Sequence, residues 1–219
     1  MKTVYLSLAL ALGAAASPAA AQETAPPKDI TVTGSVALVS DYRLRGVSQT
    51  DKHAAVQGGI TVTHKSGFYV STWASNLAGW GTFGGANMEL DLIGGYKRSL
   101  GGGISVDAGL TWYMYPGGAN KTDFAEPYVK LSGTAGPATV LVGVAYAPKQ
   151  EALGKWYDNA ASYATGVPDH PGAKHDNLYV WSDLSAAIPK TPLTAKAHLG
   201  YSHGNPGLGP NGTSAAPTG

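Results

Sequence analysis

The chain has 219 residues, and only 13% of them are charged, which is about half the share found in ordinary soluble domains and excludes an extensive charged surface. The formal net charge is +1, so no basic surface is available for nucleic-acid phosphates, and nucleic acid is excluded as a partner. The absence of Cys excludes disulfides, thiolate metal sites and thiol nucleophiles, while 30 Gly and 12 Tyr favour a turn-rich β-structure.

The first 21 residues have the pattern of a secretory signal peptide. Lys2 provides the positive start, residues 4–16 form an apolar run interrupted only by Ser7, and the alanines at 19–21 fit a cleavage site. The apolar run is shorter than the roughly 20 residues that a membrane-spanning helix needs, which disfavours an uncleaved anchor. We therefore expect an exported protein with a polar leader at residues 22–29 and no transmembrane helix.

Strand-like alternation of apolar and polar side chains starts at Ile30 and recurs along the rest of the chain. No segment has the apolar stripe of an amphipathic helix. We predict an all-β fold of nine antiparallel strands in one domain, residues 30–219. The predicted strands are residues 30–45, 56–63, 68–74, 88–97, 104–113, 125–131, 140–146, 178–188 and 193–201.

The predicted connections alternate in length. Short turns at residues 64–67, 98–103, 133–137 and 189–192 alternate with longer loops at residues 46–53, 76–87, 116–123 and 148–176. Short turns at one end and long loops at the other are typical of an up-and-down transmembrane β-barrel in the bacterial outer membrane. Strands of about 9–11 residues are also long enough to cross a bilayer at a tilt.

Aromatic side chains on the apolar faces lie near the predicted strand ends, as in barrels whose aromatic residues contact both membrane interfaces. The long-loop ends carry Tyr42, Trp112, Tyr146 and Tyr201, and the short-turn ends carry Phe68 and Tyr96. This pattern predicts two aromatic girdles. The alternative is the general preference of β-strands for aromatic residues.

Four segments carry a resemblance to a known family. They are residues 36–50 (VALVSDYRLRGVSQT), 55–59 (AVQGG), 67–76 (GFYVSTWASN) and 89–97 (ELDLIGGYK). The chain resembles the TorF-type porins of Gram-negative bacteria, closely over residues 34–115 and more loosely beyond them. The resemblance implies an outer-membrane β-barrel of about twelve strands. It carries over no catalytic residue.

The polar faces of such a barrel point into its lumen, so the charged residues on these faces are the candidate lumen-lining residues. The acids are Asp41, Glu89, Asp91, Asp107, Glu126 and Asp183, and the bases are Arg43, Arg45, Lys97, Lys130 and Lys196. This lumen is mixed, whereas a strongly ion-selective pore needs charges of one sign. Arg43 and Arg45 either face acids across a constriction, or the charges simply pair and fill a narrow barrel.

Three functions are compatible with this pattern. The first is a porin through which small hydrophilic solutes diffuse, folded by the barrel-assembly machinery and surrounded by outer-membrane lipid and lipopolysaccharide. The second is a closed barrel that is structural or binds partners through its long loops. The third is a soluble periplasmic lipocalin-like barrel, in which the apolar faces would point inward around a lipophilic ligand.

Motifs for catalysis or cofactor binding are weak. No G-x-S-x-G or H-E-x-x-H motif occurs, so we expect neither an enzyme nor a cofactor. Asp169, His170, His175 and Asp176 could bind a divalent cation in the longest loop, but a solvated polar loop is the simpler interpretation, and no metal is expected. Residues 207–212 match the G-x-G-x-x-G motif, but they lack the preceding strand and the following helix of a dinucleotide-binding site.

With the N-terminus in the periplasm, successive strands alternate in direction, and the ninth predicted strand, residues 193–201, runs outward. Residues 203–219, which follow it, have no strand pattern. Bacterial barrels have an even number of strands and both termini in the periplasm. We therefore expect that at least one returning strand is missing from this sequence and that the first and ninth predicted strands do not pair fully. Unpaired backbone groups in hydrocarbon are costly, so this fragment is not expected to insert stably.

Overall fold

The computed structural model describes residues 4–7, 29–82, 85–119 and 121–204 of the chain. This part contains twelve strands, one α-helix and two short 3₁₀ helices, so the chain is all-β as predicted. Most of the predicted signal peptide and leader lie outside the described residues, and so does the G-x-G-x-x-G spelling.

Eight of the nine predicted strands correspond to one strand each, and the first, residues 30–45, covers two strands of the structure, Ile30–Val39 and Arg43–Leu44. The strands are β1 (Val4–Ser7), β2 (Ile30–Val39), β3 (Arg43–Leu44), β4 (Val47–Ser48), β5 (Ala55–His64), β6 (Phe68–Asn76), β7 (Met88–Gly101), β8 (Ile104–Met114), β9 (Phe124–Ala135), β10 (Ala138–Gln150), β11 (His175–Ala187) and β12 (Thr194–Gly204). Ten of them form one sheet in the order β1-β12-β11-β10-β9-β8-β7-β6-β5-β2, while β3 and β4 form a separate hairpin. From β5 to β12 each strand pairs antiparallel with the next strand in the chain.

The predicted alternation in connection length is confirmed. Short turns join the strands at one end of the sheet, which we call the short-turn end. Gly67 and Gly136 lie in two of these turns with φ angles of 103° and 59°, a left-handed conformation that glycine adopts without strain. The opposite, long-loop end carries the connections at residues 40–54, 77–87, 115–123 and 151–174.

The helices all lie in the long loops. Helix α1 (Ala160–Thr165), which the sequence did not predict, follows Asn159, whose side-chain oxygen accepts hydrogen bonds from the backbone N–H groups of Ala161 and Ser162 at 2.9 Å. Asn is a favourable residue at this capping position. No helix in the described part of the chain is long and apolar enough to cross a membrane. The 3₁₀ helices are Gly79–Thr82 and Glu151–Leu153.

The two faces of the sheet differ in polarity, and the apolar face is the exposed one. Val36 and Leu38 on β2 are 80% and 74% exposed. The opposite face, which we call the polar face, holds buried polar side chains such as Glu89, Glu126 and Asn177. A soluble antiparallel sheet buries its apolar face instead. Other exposed apolar side chains are Ile60, Val70, Leu92, Leu110, Val129, Val142, Val180 and Leu199.

Aromatic rings on the polar face each occupy the space above a glycine of a neighbouring strand. The pairs are Tyr69 with Gly95, Tyr128 with Gly109, Trp181 with Gly143, and Tyr179 with Gly200. A glycine has no side chain of its own, so the ring fills the space that a side chain would take, a device known to stabilise glycines in sheets. These rings therefore form part of the packing of the polar face.

Replacing Gly95 with Ala is expected to destabilise the protein by about 1–3 kcal/mol, the range for overpacking a filled space. A Cβ atom at this position would lie 2.6 Å from the hydroxyl oxygen of Tyr69. Gly94→Ala is the matched control, because a Cβ atom there, on the exposed face of the same strand, has no atom within 4 Å. Urea unfolding followed by tryptophan fluorescence measures both variants. Equal midpoints would contradict the packing of Tyr69 on Gly95.

The sheet is open within the described residues. β2 pairs only with β5, and β12 pairs with β11 and with β1. The pairing of β1 with β12 runs from Val4 opposite Tyr201 to Ser7 opposite His198. The expected lack of pairing between the first and ninth predicted strands is therefore confirmed for the part of the chain that the structure describes.

The first predicted strand is wrong at its C-terminal end. β2 ends at Val39, and the chain then turns toward the polar face. Tyr42, predicted for the outer girdle, lies on that face instead, where its hydroxyl donates to Glu89 Oε1 at 2.9 Å. The cause is hydrogen bonding within the loop. The Tyr42 N–H donates to Thr50 Oγ1 at 3.1 Å, and the Tyr42 carbonyl accepts from the Gln49 N–H at 2.7 Å.

The long loops pack together at the long-loop end. Tyr113 stacks on Phe124 there, with 4.4 Å between ring centroids. Burial of apolar surface stabilises such contacts by about 25 cal/mol per Å², so this cluster fixes the loops against the strand ends. Its buried members are Leu77, Ala86, Tyr115, Phe124, Ala147, Ala152 and Leu153.

Candidate functional site

A two-residue hairpin turn directs one arginine onto the polar face. β3 and β4 pair with each other, and Arg45 and Gly46 between them have φ angles of 52° and 86°. Two-residue hairpin turns of this kind need positive φ at both positions, which Gly accommodates and Arg adopts only at a cost. The contacts of the Arg45 side chain must therefore hold this conformation.

Arg45 makes three interactions with strands that are distant in sequence. Its Nη2 donates to Glu126 Oε1 on β9, and its Nη1 donates to Asn177 Oδ1 on β11. The guanidinium carbon lies 4.7 Å from the centroid of the Tyr179 ring. The side chains of Arg45 and Glu126 are each only 5% exposed. Because the hairpin follows β2 and contacts β9 and β11, the sheet must curve around it.

Acidic side chains outnumber basic ones in the long-loop half of the polar face. Glu89 and Asp91 on β7 and Glu126 on β9 are at most 6% exposed, and Arg45 is the buried base beside them. Tyr113 donates its hydroxyl hydrogen to the second oxygen of Glu126 at 3.1 Å. Asp91 Oδ1 is buried without a hydrogen-bond partner among the described residues.

A cavity of about 540 Å³ lies on the polar face. Arg45 and Glu126 line it toward the long-loop end, and Lys97, Asp107 and Lys130 line it toward the short-turn end. The hairpin β3–β4 therefore covers the cavity on the long-loop side. The lining also includes three aliphatic side chains, Leu44, Ile93 and Ala145. The remaining lining residues are polar or aromatic: Thr61, Thr63, Tyr69, Ser71, Thr111, Tyr113, Tyr128, Tyr179 and Trp181.

A row of charges crosses the short-turn half of this cavity. Asp107 on β8 lies directly opposite Lys97 on β7 and Lys130 on β9. Its Oδ2 lies 3.2 Å from the Lys130 Nζ, and its Oδ1 accepts the Tyr69 hydroxyl hydrogen at 2.7 Å. The Tyr69 and Tyr128 hydroxyl groups also hydrogen-bond to each other. Asp107 is therefore shared between a lysine and a tyrosine network.

A second network joins β11 and β12. Asp183 Oδ1 lies 2.6 Å from His198 Nδ1, and His198 Nε2 lies 2.6 Å from the Tyr179 hydroxyl oxygen. A neutral His198 with its proton on Nδ1 satisfies both contacts, since Nε2 then accepts from Tyr179. The indole N–H of Trp181 donates to Asp183 Oδ2 at 3.1 Å. These bonds fix Tyr179 beneath the Arg45 guanidinium.

The structure brings together only part of the predicted lumen set. Asp41 and Arg43 pair with each other at 2.6 Å inside the hairpin loop, and neither lines the cavity. Lys196 on β12 is exposed, and it does not line the cavity either. The predicted constriction therefore contains Arg45 but not Arg43. The hairpin turn directs Arg45 into the cavity, whereas Arg43 stays with Asp41 in the loop.

The other predicted aromatic residues stay on the exposed face. Trp112 and Tyr146 are 41% and 45% exposed near the long-loop ends of their strands. Phe68 and Tyr96 form a cross-strand pair near the short-turn end, with 4.9 Å between ring centroids. Tyr201 lies on β12, where β1 pairs opposite it.

Several residues of the site were missed by sequence reasoning. They are Tyr69, Tyr128, Asn177, Tyr179 and Trp181, which contact the charged residues described above. All five fall on the polar positions of the two-residue alternation. Their positions in the alternation could have identified these residues, but the predicted set included only charged side chains.

The histidine and aspartate residues of the longest loop do not assemble into one site. His170 Nε2 lies 3.0 Å from Asp158 Oδ2, and Asp176 accepts the Tyr146 hydroxyl hydrogen at 2.8 Å. Lys155, together with His170, holds the pKa of the Asp158 carboxyl below its usual range. Within the described residues, no group of three or more potential ligands could hold a metal ion.

Comparison with known proteins gives one match. A family model described as a bacterial protein of unknown function (Gcw_chp) matches residues 21–212, which include every strand from β2 to β12. The chain matches no curated protein and no solved structure. The resemblance to TorF-type porins therefore stays a prediction.

Proposed function

The chain belongs to the bacterial Gcw_chp family, and we propose that it is an outer-membrane β-barrel of the porin type, through which small hydrophilic solutes diffuse. The observation that carries this proposal is the polarity of the sheet. Large apolar side chains are exposed on one face, and charged and hydroxyl side chains surround a cavity on the other. Lipid outside and water inside would solvate both faces.

The dimensions of the sheet support a membrane location. Strands β5 to β12 have 9 to 14 residues. A tilted strand of about 9–11 residues crosses the hydrocarbon core. The exposed aromatic residues near both ends, Trp112 and Tyr146 on one side and Phe68 on the other, suit the two interfaces with lipid and lipopolysaccharide.

A closed barrel is the second candidate, and the hairpin β3–β4 favours it. Arg45 is buried among Glu126, Asn177 and Tyr179, and the hairpin covers the long-loop side of the cavity. In a porin this hairpin would narrow the passage and leave room for solutes beside it. In a closed barrel it would block the passage, and the long loops would carry the function.

A soluble lipocalin-like barrel is less compatible with the arrangement of side chains. Such a protein would enclose its apolar face around a lipophilic ligand. Here the cavity on the polar face is lined by Arg45, Lys97, Asp107, Glu126 and Lys130, while the apolar face is exposed. Separation of outer-membrane vesicles from the soluble periplasm, followed by detection of the protein, distinguishes the two locations.

Planar-bilayer recording tests the porin proposal. We expect the purified protein to give discrete conductance steps, and Arg45→Ala to give larger ones because the hairpin loses its attachment. Arg43→Ala is the matched control, since this neighbouring side chain lies outside the cavity lining, and it should leave the conductance unchanged. Absence of conductance in both the wild-type protein and Arg45→Ala would refute the porin and favour the closed barrel.

A further inference from the structure

The charges that line the cavity do not cancel. The lining contains three bases, Arg45, Lys97 and Lys130, and two acids, Asp107 and Glu126. Arg45 pairs with Glu126, and Lys130 pairs with Asp107. Among the described residues, Lys97 has no ion-pair partner and leaves the cavity with a formal charge of +1.

The position of Lys97 makes this charge available to a ligand. Its backbone N–H donates to the Gly67 carbonyl at 2.9 Å, which anchors this part of β7 at the short-turn end. Its side chain is exposed and lines the mouth of the cavity. The nearest acid in register, Asp107, already binds Lys130 and Tyr69.

The surplus acids of the polar face lie elsewhere. Glu89 and Asp91 are buried toward the long-loop end and do not line the cavity. Asp183, the remaining acid near the short-turn end, is bonded to His198 and Trp181. The charge of the polar face is therefore divided along the strands, with the acidic excess behind the hairpin and the basic excess at the cavity mouth.

We propose that the short-turn half of the cavity binds a small organic or inorganic anion that carries carboxylate or phosphate groups, with the Lys97 ammonium as its main contact. An ammonium group is a common binder of such anions. The hydroxyl group of Thr63 lines the same cavity and supplies a further donor. A cavity of about 540 Å³ lies within the size range of small-molecule sites.

This inference rests on the proposed function in one respect, because it takes the polar face to be a water-filled lumen. It adds the chemical class of the solute, which the porin proposal leaves open. Lys97 is exposed at the cavity mouth, so its attraction to an anion acts across solvent. Added salt should weaken it by screening.

Isothermal titration calorimetry on the purified protein in detergent tests the proposal. The probes are succinate for the carboxylate class and inorganic phosphate for the phosphate class, with glucose and putrescine as neutral and cationic controls. We expect at least one anion to bind and both controls to fail. Binding of glucose or putrescine as strongly as of either anion would overturn the proposal, and so would the absence of binding by both anions.

Three variants locate the site. Lys97→Gln should weaken anion binding about tenfold, the effect of losing one hydrogen bond to a charged group. Lys65→Gln is the matched control, because Lys65 lies at the same end, pairs with Asp29 and does not line the cavity. Asp107→Asn should strengthen binding several-fold by removing the competing acid. Equal affinities of the Lys97 and Lys65 variants would overturn the proposal even if Asp107→Asn fails to fold.

The failure of this inference can be separated from that of the porin proposal. Calorimetry in detergent requires binding but no passage across a membrane. Conductance without anion binding would remove the inference and keep the pore. Anion binding without conductance in either the wild-type protein or Arg45→Ala would remove the pore and keep the site.

Discussion

Arg45→Ala is expected to destabilise the folded protein by about 3–5 kcal/mol, because removing one member of a buried ion pair leaves the other charge without compensation. Glu126, whose side chain is 5% exposed in the pair, would lose its guanidinium partner. Asn177 would lose a hydrogen bond in the same substitution, and the Tyr179 ring would lose its cation. Urea unfolding in detergent micelles, followed by tryptophan fluorescence, measures the change.

Arg43→Ala is the control for this prediction. Its side chain is 37% exposed and pairs with Asp41 in the same loop, and exposed pairs of this kind contribute about 1 kcal/mol or less. The double variant Arg45→Met, Glu126→Leu should recover much of the lost stability, since replacing both members of a buried pair by apolar residues leaves no unpaired charge. Equal stability of Arg45→Ala and Arg43→Ala would show that the buried pair does not hold the hairpin.

Strands were predictable because a sheet with one polar and one apolar face needs alternation of side chains along each strand. Ile104 to Met114, for example, alternates from end to end, and the structure has β8 over the same residues. The signal depends only on the order of residues along one strand. It is therefore complete in the sequence wherever a strand has one polar and one apolar face.

The inward hairpin was not predictable from the same signal. Alternation continues past Val39 through Tyr42 and Leu44, so the pattern extends the first strand beyond its actual end. The turn uses Arg45-Gly46, whereas the strong sequence signals for such turns are Asn-Gly and Asp-Gly. The contacts that hold the turn come from residues more than eighty positions away, as with Glu126 and Asn177, and a local pattern does not contain them.

The division of charge along the strands was within reach of sequence reasoning. Glu89 and Asp91 follow a long loop closely, and Lys97 lies near the short turn at the other end of the same strand. When all inward-facing charges are counted together, acids and bases are mixed. When they are sorted by their distance from the strand ends, the acids Glu89 and Asp91 separate from the base Lys97. The pairing of Lys130 with Asp107, which leaves Lys97 without an ion-pair partner among the described residues, required the strand register.

Val142→Arg is expected to destabilise the protein in lipid vesicles by about 2–4 kcal/mol, the effect of an arginine on the lipid-facing side of a barrel near the bilayer midplane. Val142 lies within β10 on the apolar face, 52% exposed, between Leu131 on β9 and Ser182 on β11. If lipid covers this face, the guanidinium would lose its hydration or distort the bilayer. If water covers it, the same substitution places a charge on an already solvated surface, and stability changes by about 0.5 kcal/mol or less.

Val167→Arg provides the matched control for Val142→Arg. Val167 is 66% exposed in the connection between β10 and β11, which would lie outside the membrane, so an arginine there remains hydrated in either case. Both variants are folded into vesicles and unfolded with urea, and the folded fraction is read from gel mobility with and without heating. A loss of stability in Val142→Arg but not in Val167→Arg would support lipid contact on the apolar face. Two equally stable variants would mean that water covers this face, and the outer-membrane proposal would then fail.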